Sequence, residues 1–310
     1  MTALICGSFA YDNIMVFPDQ FKNHILPDKV HMLNVCFLVP DMRREFGGCA
    51  GNIAYNLNLL GGDGKPMGAV GQDFAPYAQW MAEKEISQEF LLSVADAFTA
   101  QAFITTDLDD NQITAFHPGA MNQAHEQAIP TDAGISLGLL SPDGRDAMLQ
   151  HAEQFHAAGI PFVFDPGQGL PMFNGEELLR FIELAEYVTV NDYESQLLQE
   201  RTGLSESEIM QQVSALIVTR GAEGSVVYTA AETFEIPAVA VADIKDPTGC
   251  GDAYRAGLIF GLMNAMDWQT TCSIASLMGA IKIAHHGTQN HHFTMTEFSD
   301  KFEEAFSYSF

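Results

Sequence analysis

The residues of this chain best suited to chemistry are Asp246-Pro247-Thr248-Gly249-Cys250-Gly251-Asp252. The apolar run at 239–244 predicts a strand before them, and the small and apolar residues at 253–265 predict a helix after them. Two glycines at a strand-to-helix turn let backbone N–H groups converge on one point, and the helix N-terminus adds partial positive charge. Such a turn suits an anion. A carboxylate there would repel a bound phosphate unless it takes the proton from the group that attacks that phosphate. The reading is therefore a small-molecule kinase with Asp252 as its base and the amides of Gly249, Cys250 and Gly251 around the transferring group. The same seven residues also suit an ordinary helix start, where Asp is common.

A second candidate is Gly47-Gly48-Cys49-Ala50-Gly51-Asn52, which opens a predicted helix over 53–60. Gly48 permits close backbone approach to a ligand. Asn52 both donates and accepts, which suits a hydroxylated substrate. Neither G-x-G-x-x-G nor G-x-x-x-x-G-K-[ST] is present, which disfavours a dinucleotide-binding turn and a P-loop. Asp12 lies in the loop expected after a first strand at Leu4-Ile5-Cys6, where it can accept hydrogen bonds from a diol or simply stabilise a turn.

Polar residues also gather after the later strands. Asn191 and Glu194 have capping-box spacing, and Glu194 is alternatively placed to hold a water on Mg²⁺ bound to nucleotide phosphates. Thr219, Gly221 and Gly224 form either a plain hairpin turn or a phosphate contact. The loop Gly287-Thr288-Gln289-Asn290 is expected near the nucleotide. The pairs His285-His286 and His291-His292 complete no recognisable zinc spacing, and H-E-x-x-H does not occur.

The elements that must position these groups follow from the hydropathy pattern. From residue 133 onward, predicted strands at 135–140, 162–164, 187–190 and 216–219 alternate with helices at 145–158 and 176–185. That order predicts a mostly parallel sheet covered on both faces, with polar residues along one rim. Two β-rich pieces interrupt the alternation. Strands are expected at 15–17 and 35–39, and a hairpin at 101–105 and 112–116 around Asp107-Leu108-Asp109-Asp110-Asn111. Together they suggest a small sheet over the site, a lid. Phe17, Phe103 and Phe116 lie in it, either to stack on a nucleobase or to build its own small core.

These motifs, in this order along nearly the whole chain, resemble the PfkB (ribokinase-like) family of small-molecule kinases, and among its members adenosine and related nucleoside kinases. The resemblance implies an α/β fold, with a three-layer α/β/α core around a mostly parallel central sheet and a β-sheet lid. The core would comprise 1–13, 47–98 and 118–310, and the lid 14–46 and 99–117. It implies ATP and Mg²⁺, with Gly249 and Gly251 framing the anion hole and Asp252 deprotonating the acceptor. Asp12, Gly48, Asn52 and Phe116 would meet the nucleoside. Asn191, Thr219, Gly221, Gly224 and Gln289 would meet the nucleotide, and Glu194 the metal through water. Cys250 stands where the family usually has alanine, which keeps the backbone hole and raises the prospect of oxidation sensitivity. A sugar kinase of the same family and a non-catalytic nucleoside sensor remain as alternatives.

The composition bounds the partners. With 40 acidic against 14 basic residues, a net charge of -26, the surface repels nucleic acid and anionic membrane. Any phosphate site must be rescued locally. Five widely spaced cysteines without a C-x-x-C pair suit reduced thiols, and no basic leader precedes the first apolar run. A cytoplasmic monomer or homodimer is expected, the latter through the open lid sheet.

Overall fold

Thr2–Cys6 (β1) runs through the middle of the main sheet, and its alternation sets the layers. Ala3 and Ile5 pack into one apolar cluster, Leu4 and Cys6 into another on the opposite face. A strand buried on both sides needs helices on both sides. The computed structural model describes residues 1–25, 34–109 and 111–310. Asp110 and residues 26–33, which fall within the expected lid segments, lie outside the described residues.

The other strands are β2 (Ala10–Val16), β3 (Asp41–Gly47), β4 (Asp63–Gly71), β5 (Phe90–Val94), β6 (Ala100–Thr106) and β7 (Gln112–His117). They continue with β8 (Ile135–Leu140), β9 (Phe162–Phe164), β10 (Tyr187–Asn191), β11 (Ala215–Thr219), β12 (Ser225–Tyr228) and β13 (Thr233–Ile236). The main sheet has the order β13-β12-β11-β10-β9-β8-β1-β4-β5. Its strands from β5 to β11 are parallel, and β12 and β13 close one edge antiparallel. The second sheet has the order β3-β2-β6-β7. The helices are α1 (Cys49–Leu59), α2 (Ala75–Glu83), α3 (Arg145–Ala157), α4 (Gly175–Leu184), α5 (Asp192–Thr202), α6 (Glu206–Met210), α7 (Cys250–Met263), α8 (Trp268–Ile283) and α9 (Met295–Phe306). This is the α/β architecture that the resemblance implied, a mostly parallel sheet with a small second sheet.

Three sequence expectations are corrected. Residues 239–244 form no strand. Pro237, directly after the edge strand β13, has no N–H to extend it, and the chain then runs along α8, where Lys245 N donates to Ile283 O at 2.9 Å. Residues 35–39 form no strand either; the partner of β2 is β3 at Asp41–Gly47. The second sheet begins earlier than residue 14, because β2 starts at Ala10 and so carries Asp12 into the lid strand. The expected hairpin is present as β6 and β7, whose residues pair antiparallel from Gln101–His117 to Thr106–Gln112. Among the described residues, no helix is long and apolar enough to cross a membrane.

Candidate active site

The parallel strands all deliver their carboxyl ends to one rim, as the fold rule for open α/β sheets requires. A cavity of about 1480 Å³ lies there, bounded by Ser8 after β1, Asp143 after β8, Asp165 after β9, Asn191 at the end of β10 and Thr219 at the end of β11. A drug-sized ligand needs roughly 300–1,000 Å³, so this volume holds two. The lid closes one flank through Ala102, Ile104, Gln112, Thr114 and Phe116.

The turn at 246–252 is built by its own side chains. Asp246 Oδ1 accepts from Thr248 N and its Oδ2 from Gly287 N, each at 2.9 Å. Burial works against the ionised form, yet these two N–H bonds hold the Asp246 carboxyl below the usual range. Lys282, fully buried in α8, donates Nζ to Asp246 O at 2.6 Å and to His285 O at 3.3 Å, tying the two loops together. Gly249 is the residue before α7, at φ 78°, and a Cβ there would meet Thr288 Cγ2 at 2.9 Å. The Cys250 amide, expected to face an anion, donates instead to Pro247 O at 3.2 Å, which leaves those of Gly249 and Gly251. Burial pushes the Cys250 thiol up to about 11, which favours its protonated form.

Asp252 stands on the first turn of α7 and in the cavity wall. Its Oδ2 accepts from Asn52 Nδ2 at 2.8 Å. Burial raises its carboxyl to about 6, although the Asn52 bond pulls the other way. Asn52 lies on α1, whose start depends on Gly48 at φ 88°; a Cβ there would come within 2.5 Å of Ser8 O and 2.6 Å of Ala10 N. Asn52 was expected to meet the substrate. Its amide is committed to Asp252 on one side and, through Oδ1, to Gln289 Nε2 at 3.0 Å on the other. Asp12 on β2 also lines the cavity and accepts no hydrogen bond among the described residues. Burial, and then the nearby Glu45 and Asp246, raise it to about 6.

The aromatic residues divide. Phe116 is half exposed on the cavity face of β7. Phe103 sits between Ala102 and Ile104 on β6 and so faces away from the cavity. Phe17 is buried against Phe21 and Phe37, ring centroids 5.9 and 4.8 Å away, in the lid's own small core.

On the opposite flank, Asn191 and Glu194 make a complete capping box. Asn191 Oδ1 accepts from Glu194 N at 2.7 Å, and Glu194 Oε2 accepts from Asn191 N at 2.8 Å. Both also line the cavity, as do Thr219, Gly221 and Gly224. Small residues make up much of the remaining wall: Ala238 to Val241 on one side, and Ser276, Gly279 and Ala280 of α8 on the other. Gln289, expected near the nucleotide, is not in this wall. It is buried behind Asn52 and bonded to it, to Tyr77 and to Trp80.

Two features escaped sequence reasoning. Arg255 on α7 makes a bidentate pair with Asp165, Nε to Oδ2 at 3.1 Å and Nη2 to Oδ1 at 3.0 Å, and both are about 5% exposed. A lone arginine in an otherwise apolar helix was the available signal, since such a charge is buried only with a partner. Asp143, also buried in the cavity wall, leaves Oδ2 without a partner among the described residues, and burial raises it to about 7.

Residues 19–294 match the pfkB family carbohydrate kinase domain. The nucleoside kinase of Methanocaldococcus jannaschii is 30% identical over 258 residues, 83% of this chain and 85% of that protein. The structure of Burkholderia thailandensis nucleoside kinase in complex with inosine is 52% identical and superposes with a TM-score of 0.90 over 99% of both chains. The same enzyme in complex with ADP-inosine is 54% identical, with a TM-score of 0.88 over 99% of this chain and 97% of that one.

Proposed function

We propose that this chain, which belongs to the pfkB family of carbohydrate kinases, transfers the γ-phosphoryl group of ATP to the 5′-hydroxyl of a nucleoside, with adenosine the first substrate to test and inosine the second. The observation that carries this reading is the place of Asp252. It sits at the start of α7, beside the Gly249 and Gly251 amides, in the wall of a cavity large enough for a nucleoside and a nucleotide together.

In this reading the nucleoside lies against the lid. Asp12, free of protein partners among the described residues, accepts from the ribose hydroxyls, Gly48 lets the backbone approach the sugar, and Phe116 stacks on the base. The nucleotide occupies the other flank, its adenine between 238–241 and the small residues of α8, its phosphates toward Thr219, Gly221 and Gly224. Asp252 removes the hydroxyl proton as the oxygen attacks in line. The Gly249 and Gly251 amides stabilise the charge that builds on the transferred group. Lid closure excludes water and so limits ATP hydrolysis.

The residues suit a Mg²⁺ ion held mainly by phosphates and water. Glu194 has spent one oxygen on the Asn191 amide and keeps the other, Asp165 is taken by Arg255, and no cluster of three or more ligating side chains occurs among the described residues. Glu194 would hold one of the ion's waters, and the ion would offset phosphate charge.

The test is ATP-dependent phosphorylation by the purified protein against adenosine, inosine, guanosine, cytidine, ribose and fructose, with Asp252→Asn alongside. A nucleoside monophosphate lost in the variant supports the proposal. Turnover of a sugar alone replaces the substrate. Tight nucleoside binding without transfer replaces the enzyme with a sensor.

A further inference from the structure

Behind the cavity wall, a run of side-chain hydrogen bonds leads from α2 to Asp252. Trp80 Nε1 donates to Gln289 Oε1 at 3.0 Å. Gln289 Nε2 donates to Asn52 Oδ1 at 3.0 Å and to the Tyr77 hydroxyl at 2.6 Å, which in turn donates to Gly47 O at 3.0 Å. Asn52 Nδ2 then donates to Asp252 Oδ2 at 2.8 Å. Gln289 and Asn52 are only 2% and 4% exposed, so water does not replace these bonds.

The direction of the run is dictated at both ends. An indole nitrogen only donates, and an ionised carboxylate only accepts. An amide, by contrast, can turn over. If Asn52 turned over, its N–H would meet the Gln289 N–H and its oxygen would meet the Asp252 carboxylate, two repulsions in place of two bonds. If Gln289 turned over, its N–H would meet the Trp80 N–H. Trp80 is itself held, stacked on Phe46 and Tyr55 with centroids 5.8 and 6.2 Å away and Lys84 over its ring at 4.4 Å.

We propose that Gln289 is a positioning residue for phosphoryl transfer: polarised by the Trp80 indole, it keeps the Asn52 amide turned with its N–H on Asp252, so that this carboxylate stays ionised and aimed at the acceptor hydroxyl. The inference rests on Asp252 being the base. It assigns a task to a residue whose place in the sequence suggested contact with the nucleotide.

A donor to the ionised form favours it, so loss of this donor must make Asp252 harder to ionise. The other titratable groups around it stay in place: Cys49 from α1, Tyr77 from α2, Asp165 after β9, Cys250 and Arg255 on its own helix, and Lys282 from α8. The arrangement therefore makes a pH-dependent claim that a merely structural role does not.

The experiment measures kcat against pH from 5 to 9 for the wild type, Gln289→Met, Trp80→Phe and Asp252→Asn, with thermal unfolding as a control for folding. Trp80→Phe keeps an aromatic ring in the stack and removes the N–H donor together with the pyrrole ring, so thermal unfolding is read beside it. In Gln289→Met, kcat should fall roughly tenfold at the acid end and recover to within about threefold at pH 9, as the acid limb moves up by about one pH unit. Trp80→Phe should move the limb the same way by less, with KM for ATP unchanged in both. A uniform loss at every pH, or no shift of the limb in either variant, overturns the proposal while leaving the base intact. If Gln289→Met does not fold, Trp80→Phe decides alone. Wild-type turnover in Asp252→Asn is a different failure, that of the base itself.

Discussion

In the proposed reading, the two flanks of the cavity recognise their ligands by different means. On the nucleotide flank, the groups offered are backbone turns at Thr219, Gly221 and Gly224, a helix cap, and walls of small residues. On the acceptor flank, the groups are side chains: Asp252 held by Asn52, Asn52 held by Gln289, and Asp12, raised by burial and then by nearby carboxylates. Backbone groups recognise what every nucleotide shares and tolerate substitution. A side-chain network selects one acceptor and one geometry, and a single change propagates through it. The difference also explains how a chain with net charge -26 handles phosphate. The nucleotide flank is made of amides, while Arg255 and Lys282, both buried, balance the acidic groups beside the transfer point.

This contrast predicts graded losses. The largest is Asp252→Asn, which should lower kcat by about 10²–10⁴ while a nucleoside-binding titration changes little. Preserved kcat would break the comparison at its centre. Next is Asp12→Ala, on the same flank. It should raise nucleoside KM about tenfold or more through lost hydroxyl bonds and leave KM for ATP alone; a change confined to ATP would exchange the two flanks. On the other flank, Asn191→Ala should act mostly on stability. It breaks the capping box of α5, and thermal or chemical unfolding should register about 1 kcal/mol, with only a few-fold rise in KM for ATP. A loss of turnover as deep as that of Asp252→Asn would mean that the two flanks do not differ in kind.

The last effect concerns stability against pH. Burial raises Asp252 in the folded chain to about 6, above its unfolded value of 3.8. Ionisation is therefore disfavoured by folding. The penalty is absent below pH 3.8, grows between 3.8 and 6, and is complete above 6. Asp252→Asn should accordingly unfold at a higher temperature than the wild type at pH 7 to 8, by at most about 3 kcal/mol of stability, with the difference closing below pH 4. Equal melting temperatures across that range would show that Asp252 is not held in a strained ionised state.

The same contrast decides what was legible in the sequence. The turns at 47–52 and 246–252 are local, and their glycines and carboxylates sit a few residues apart, so reading them required no tertiary knowledge. The later strands and helices were legible because apolar runs alternate cleanly with amphipathic ones. What failed was long-range. β4 escaped notice because Gly62, Gly64, Pro66, Gly68 and Gly71 read as loop, yet Gly68 is required there: a Cβ would strike Gly7 O and press on the Phe9 ring at 3.2 Å. Residues 239–244 are apolar enough for a strand, but after Pro237 the chain leaves the β13 edge and runs along α8. The Arg255–Asp165 pair spans 90 positions. Gln289 was expected at the nucleotide, and only the packing of α2 beside it puts Trp80 and Tyr77 within its reach.

The measurement closest to the central claim is the pH dependence of kcat for ATP-dependent nucleoside phosphorylation by the wild type. With Asp252 as a base raised to about 6, turnover should climb as pH rises through that value and level off above it, and Asp252→Asn should abolish the limb along with the rate. A flat profile through pH 6 with undiminished turnover in Asp252→Asn would contradict it.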